Sequence, residues 1–317
     1  MIRHPSSRER RAGDATRVRG AALILAMLIA ALAAAVAVSL AAGQQQWQAG
    51  VALRSEQVQA QALAQAGIQW ARQIMFEDVK ASNIDHLGEP WALKLPATPI
   101  ENGSIEGRIA DAQGMLNVNG LGAPGLQGIL ERTRFERLFA RLGIPASTLD
   151  AISDWIDADG EVRPGGAEDV FYRQQPSPAL AANAPIVRLA ELSVVRGFTP
   201  EAVTSLSPYI TALPGETRIN VNTAPPQVLA TAISGLDGGA LSSLVESRSR
   251  QPFTSIPDFR ARLPSTASID NEGALSVGSD YFLVTVVARQ GPTLAQARAL
   301  LKRGSGGWPQ VVWQTIE

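Results

Sequence analysis

The sequence predicts an α+β fold: a long N-terminal transmembrane and stalk helix, a small antiparallel sheet, and a large inserted α-helical domain. Three observations predict it. The 22-residue run Ala21–Ala42 has Ser39 as its sole polar interruption and continues, without proline, into an Ala/Gln/Leu-rich stretch reaching Lys80. Strand patterns occur around Ser104–Val118 and again from Asp280 to the C-terminus. Between these β pieces the apolar spacing is helical.

Composition narrows the chemistry before any element is placed. A chain of 317 residues suggests about two domains. A net charge of −1 advertises no general affinity for nucleic acid or acidic surfaces. With no Cys there is no disulfide framework, no thiolate metal site and no Cys nucleophile. With His4 and His86 as the two histidines, a multi-histidine metal site cannot be built from one chain, and a Ser-His-Asp triad would have to use His86.

The N-terminal elements follow from charge. Residues 1–20 carry six Arg and two acids, a local +4, so the remaining 297 residues sum to −5. From Gly20 to Leu53 there is no charged residue. Twenty-two helical residues span about 33 Å, enough for a hydrocarbon core of about 30 Å. Basic residues before the run and none just after it orient the N-terminus to the cytoplasm and the bulk of the chain to the periplasm. A signal peptide, a plain anchor and a prepilin-type leader compete for this segment, and Arg19-Gly20-Ala21 fits the third, which ends in Gly just before the apolar helix. The following stretch, Gln44–Lys80, carries Val51, Val58, Leu63, Ile68, Trp70, Ile74 and Met75 as an apolar stripe, broken by Gly50 and Gly67. Joined to the span it makes one helix of about 60 residues, the architecture of pilin-like proteins.

The expected partition is a leader over 1–20, the transmembrane and stalk helix over 21–80, a sheet domain from 81–122 and 270–317, and a helical domain over 123–269. Ser104–Ile109 and Met115–Val118 read as a hairpin about Asp111–Gly114. Asp280–Arg289 is a strand, Gln290-Gly-Pro-Thr293 a turn, and Leu294–Leu301 and Val311–Ile316 supply further strands. Gly125–Gly143 reads as a helix with Leu126, Ile129, Leu130, Phe135, Leu138, Phe139 and Leu142 on its apolar face.

Two motifs carry chemistry. Asp154, Asp157, Asp159, Glu161, Glu168 and Asp169 place six carboxylates within sixteen residues, with Arg163 the one base among them. Like charges crowded on a Gly-rich loop repel unless they are solvated or neutralised, and Ca²⁺ accepts six to eight oxygens in flexible geometry. The expected ligands are Asp157, Asp159, Glu161, Glu168 and Asp169. A solvated acidic loop and carboxylate acid/base catalysis are the alternatives. The second motif, Arg218 to Ile256, resembles a helix-hairpin-helix module, which binds DNA phosphates. Its hairpin, Ser234–Gly239, has Asp237 where amides should meet a phosphate, so a protein-facing surface is the favoured reading.

Taken together the residues resemble the general secretion pathway protein K family, the large minor pseudopilins of type II secretion. The resemblance rests on Arg19-Gly20, Gly107-Arg-Ile109 to Gly114, Asn117-Val-Asn119, Asp154-Trp-Ile-Asp157-Ala-Asp159 and Gly165-Gly-Ala-Glu-Asp169 with Tyr172. It continues through Ile219-Asn-Val-Asn-Thr-Ala224, Pro252-Phe-Thr-Ser255 and Ser279-Asp-Tyr-Phe282. It implies a pseudopilin fold with a helical insertion, calcium near the acidic loop, and prepilin peptidase cleavage between Gly20 and Ala21. It also implies a tip complex with two other minor pseudopilins above a major pseudopilin filament, anchored in the inner membrane, with no enzymatic activity and no nucleic-acid partner. The mature chain would begin with Ala21 where most pilins have Phe, and Leu25 stands where they have Glu. An unpaired carboxylate in hydrocarbon is costly, so a subunit lacking it suits a filament's first position.

Overall fold

The structure, a computed structural model, describes the backbone of residues 9–304 and 307–317 and the side chains from Ala21 onward, apart from 305–306. Of the leader read over 1–20, residues 1–8 and all the side chains lie outside the described residues, while the backbone of 9–20 is helical. The chain divides into two compact units, Met1–Gln59 and Ala60–Glu317.

Helix α1 (Glu9–Ala81) is continuous. Leu23, Ile24, Leu28 and Leu32 are all more than half exposed, in a helix whose most apolar window has a mean hydropathy of 2.8. Large apolar side chains left uncovered along a helix of this length match lipid as their solvent. From Ala60 onward the helix buries Ala60, Ala64, Ile68, Ala71 and Met75, three or four residues apart, against a sheet. Of the expected stripe, Ile68 and Met75 are buried and Leu63 and Ile74 pack against the same core, whereas Val51, Val58 and Trp70 are 46%, 64% and 52% exposed. The contact is made mainly by small side chains, which let the helix lie close to the strands. At Gly67 an added Cβ would stand 2.7 Å from Val286 Cγ1, so the glycine that weakens the helix locally permits its packing.

Strands β1 (Leu95–Ile100) and β2 (Gly103–Asp111) pair antiparallel around Asn102, which has φ 58°. Pro96 and Pro99 lie in β1, an edge strand whose register slips between Leu95 and Thr98. The expected hairpin from Ser104–Ile109 to Met115–Val118 does not form. Both edges of β2 are already taken, by β1 on one side and by the later strand β9 (Tyr281–Gln290) on the other. The chain instead turns through a 3-10 segment, Ala112–Gly114, and β3 (Leu116–Asn117) pairs in parallel with β4 (Ile210–Thr211).

The helical insertion runs through α2 (Gly125–Leu142), α3 (Thr148–Ile156), α4 (Asp169–Arg173) and α5 (Pro200–Leu206). It continues with β5 (Ile219–Asn220), α6 (Pro226–Ala232), β6 (Ile233–Ser234), α7 (Gly238–Arg250), α8 (Ile256–Ala261), β7 (Ser268–Ile269) and β8 (Leu275–Ser276). Its core gathers Phe135, Phe139, Ile152, Val228, Phe253 and Phe259. Helix α2 stops at Gly143, where φ is 70°. Leu126 and Ile129, expected on its apolar face, are exposed because they precede the turns that meet the core.

The chain then re-enters the sheet through β9 (Tyr281–Gln290), β10 (Thr293–Lys302) and β11 (Gln310–Ile316). The five-stranded order is β1-β2-β9-β10-β11, with antiparallel pairing throughout. Val284, Val286, Ala288, Ala295, Ala297 and Ala299 line the face that receives α1. The fold is thus α+β, with the helical insertion placed between β2 and β9.

Candidate functional site

The acidic loop is built outward from α3. Asp150 and Asp154 lie one turn apart on that helix and accept bonds from the same following turn. Asp150 accepts from the backbone N–H of Gly165 at 3.1 Å and from Arg132 Nη2 at 2.7 Å. Asp154 is fully buried; it accepts from the backbone N–H of Arg163 at 3.1 Å and from Arg163 Nη1 at 2.6 Å. The same Nη1 pairs with Asp157. Gly166 is required by proximity, since a Cβ there would sit 1.8 Å from Asp154 Oδ2. From the other side Arg196 Nη1 donates to the Gly166 carbonyl at 2.7 Å.

Asp157, Asp159 and Glu168 each place one carboxylate oxygen within 4.8 Å of the others. Glu168 is 5% exposed, and its Oε1 and Asp157 Oδ1 are both buried without a hydrogen-bond partner among the described residues. Burial first, and then the charges of Asp154, Asp157, Asp159 and Asp169, push the Glu168 carboxyl up from its ordinary range. An all-oxygen set with orphaned buried acceptors fits a hard divalent cation such as Ca²⁺.

Of the five expected ligands, the structure brings together Asp157, Asp159 and Glu168 and turns the other two elsewhere. Glu161 is exposed, and its backbone N–H donates to Asp159 Oδ1 at 2.9 Å. Asp169 opens α4, where it accepts from Arg173 at 2.9 Å and from the Ala181 N–H at 3.0 Å.

A second carboxylate cluster was not foreseen. It lies where the end of α1, the sheet and the insertion meet. Arg303 Nη1 donates to Asp78 at 2.6 Å, and Arg303 Nη2 pairs with Asp85. Asp85 also accepts from the Ser279 N–H at 2.7 Å. Burial, the largest cause, outweighs these bonds and lifts the Asp85 carboxyl to about 6. Asp111 Oδ2 receives Thr223 Oγ1 at 2.6 Å, Ser279 Oγ at 2.6 Å and Asn220 Nδ2 at 2.9 Å. One oxygen each from Asp78, Asp85 and Glu89 also lies within 4.8 Å of the others. Here, though, Arg303 is set between the two aspartates, and Glu89 accepts from Trp91 Nε1 at 2.8 Å and the His86 N–H at 2.8 Å.

The two Asn-Val-Asn segments have structural work of one kind. Asn117 accepts from the Leu213 N–H and donates to the carbonyls of Leu213 and Gly215. Asn222 accepts from the Phe253 N–H at 2.8 Å and donates to the Phe253 carbonyl at 3.0 Å. Both satisfy irregular buried backbone that no sheet or helix could satisfy. In the helix-hairpin-helix-like segment, Gly235 has φ 72°, and Asp237 accepts from the Ala240 N–H at 2.8 Å, so this N-terminus is capped by the chain's own carboxylate.

The described chain thus combines an apolar helical segment with its large side chains uncovered, a helix packed along an antiparallel sheet, and a helical domain let into that sheet's connection. Comparison with known proteins takes this further. Residues 114–215 and 219–278 match the two family descriptions of type II secretion system protein K. Type II secretion system protein K of Pseudomonas aeruginosa is 31% identical over 302 residues, 91% of this chain and 90% of the relative. That of Aeromonas hydrophila is 30% identical over 73% of this chain and 76% of the relative. A chain in the solved GspK-GspI-GspJ complex of the enterotoxigenic Escherichia coli type 2 secretion system superposes with a TM-score of 0.74 at 25% identity, covering 84% of this chain and 99% of that one. The chain belongs to the type II secretion system protein K family.

Proposed function

We propose that this protein caps the type II secretion pseudopilus from the tip, as a non-enzymatic subunit in complex with two other minor pseudopilins. The observation that carries the reading is the likeness to a chain solved within a three-pseudopilin complex, across 99% of that chain. Leu25 supports it, because a first subunit has no preceding amine for a membrane carboxylate to neutralise. The basic segment 1–20 puts the N-terminus in the cytoplasm and the domain in the periplasm. Prepilin peptidase removes the leader between Gly20 and Ala21.

Asp157, Asp159 and Glu168 hold calcium, which supplies the positive charge that their clustered oxygens lack; Glu161 and Asp169 flank the trio. A hydrolytic reading is disfavoured by the side chains it would need. His86 Nδ1 accepts the Gly88 N–H at 3.1 Å, and Asp154 is closed off by Arg163. A phosphate-binding reading of the hairpin is disfavoured by Asp237, whose charge and hydrogen bond stand where a phosphate would.

The test is co-purification of the full chain with the two other minor pseudopilins of its own secretion system. Recovery of a ternary complex with one copy of each supports the proposal. A chain that copurifies with neither, or incorporates along the filament's length, contradicts it.

A further inference from the structure

The acidic loop contains a cation of its own. Arg163 is the one base among its six carboxylates, and it is used on both sides of the loop. Its backbone N–H and its guanidinium both reach Asp154, which is fully buried. The guanidinium also takes Asp157 Oδ2. Asp157 Oδ1 remains buried and without a partner.

We propose that Arg163 is the resident counter-ion of this loop, holding Asp154 and Asp157 so that the loop stays folded without metal while Asp157, Asp159 and Glu168 exchange calcium. The inference rests on the reading of that trio as a calcium site and adds how the site persists when calcium leaves. Asp154, Asp157, Asp159 and Glu168 crowd together here, and Asp169, the fifth carboxylate that Glu168 feels, has its own partner in Arg173. Arg163 offsets one charge permanently, and a divalent cation would bring the group close to neutral. The turn over Arg163–Gly166 is also fixed by contacts that involve no metal. The Gly165 N–H donates to Asp150, and the Gly166 carbonyl accepts from Arg196. Without Arg163, Asp154 would be a fully buried carboxylate facing three more, a state that folds poorly unless another cation arrives.

The experiment uses the full chain in detergent, native and Arg163→Met, melted in chelator and in saturating calcium chloride, with calcium binding followed by titration calorimetry. The native protein is expected to bind calcium and melt only slightly higher with it. Arg163→Met is expected to lose several degrees in chelator and to regain most of them in calcium, so that its calcium-induced gain is at least double the native one. Folding of the Met variant only in calcium is the same result in stronger form. Equal losses with and without calcium overturn the inference while leaving the calcium site standing, as does a variant that melts like native. A native chain that takes up no calcium overturns the calcium reading, and the inference with it. If the Met variant folds in neither condition, Arg163→Lys decides, because it keeps the charge. A calcium-induced gain within the native range supports the resident-cation role, and a gain or loss like that expected of Met overturns it.

Discussion

Two arginines in this chain each gather a pair of aspartates, and the two gatherings differ in what is left over. At the junction, Arg303 binds Asp78 and Asp85 and is itself 7% exposed, with further donors from Ser279, Asn220 and Thr223 closing around Asp85 and Asp111. In the acidic loop Arg163 binds Asp154 and Asp157, but its side chain is 39% exposed, and Asp159 and Glu168 stand beside it with no ion pair among the described residues. Both clusters leave an orphaned oxygen, Asp85 Oδ1 at the junction and Asp157 Oδ1 with Glu168 Oε1 in the loop. The difference lies in access and in the count of unmet charges. A closed cluster whose acids are met by the chain's own donors fixes the packing of elements far apart in sequence. An open cluster with a surplus of oxygens is poised for a cation from outside.

Arg303→Met removes the base at the centre of the junction. It strands Asp78 and Asp85 in a buried site, and a loss of about 3–5 kcal/mol is expected in chemical denaturation. A loss under about 1 kcal/mol, the scale of an exposed pair, would move the junction to the same class as the loop.

Next in size is a pH effect at Asp85. Its carboxyl titrates at about 6 when folded against 3.8 ordinarily, so the native state holds this proton more tightly than the unfolded chain does. The stability tied to that proton is present in acid and is lost as pH rises through about 6. Relative to Asp85→Asn, the native chain should therefore gain about 2 kcal/mol between about pH 7 and about pH 4. A difference that stays flat across that range would show Asp85 ionising as in the unfolded chain, and one that runs the other way would show its charged form favoured by Arg303; either contradicts the expectation.

The smallest effect separates the loop from the junction. Glu168→Gln removes a buried, unpaired charge, so melting in chelator should rise slightly, by about 1 kcal/mol or less. The calcium-induced gain should disappear. Retention of that gain would remove Glu168 from the site.

Much of the architecture is written locally. The charge-free run from Gly20 to Leu53, the alternation of β9 and the Gly291-Pro292 turn each report a structure made by neighbours in sequence. What escaped sequence reading depends on distance or on small residues. β1 was hidden by Pro96 and Pro99, which an edge strand tolerates. The buried stripe of α1 was hidden because alanines give a weak periodic signal beside Trp70 and Val58. Arg303 and Asp85 are 218 residues apart, and nothing local joins them. The acidic loop was legible as a cluster, but its sorting was not. The start of α4 turns Asp169 toward Arg173 and Ala181, a choice made by three-dimensional packing.

We propose that this chain enters a pseudopilus as a processed, membrane-retained subunit. The most direct measurement is the intact mass and N-terminal residue of the chain recovered from membranes of a host with prepilin peptidase. A product that begins at Ala21 and keeps the apolar helix is the predicted result. A product beginning near Ala42, or an uncut chain, would contradict it.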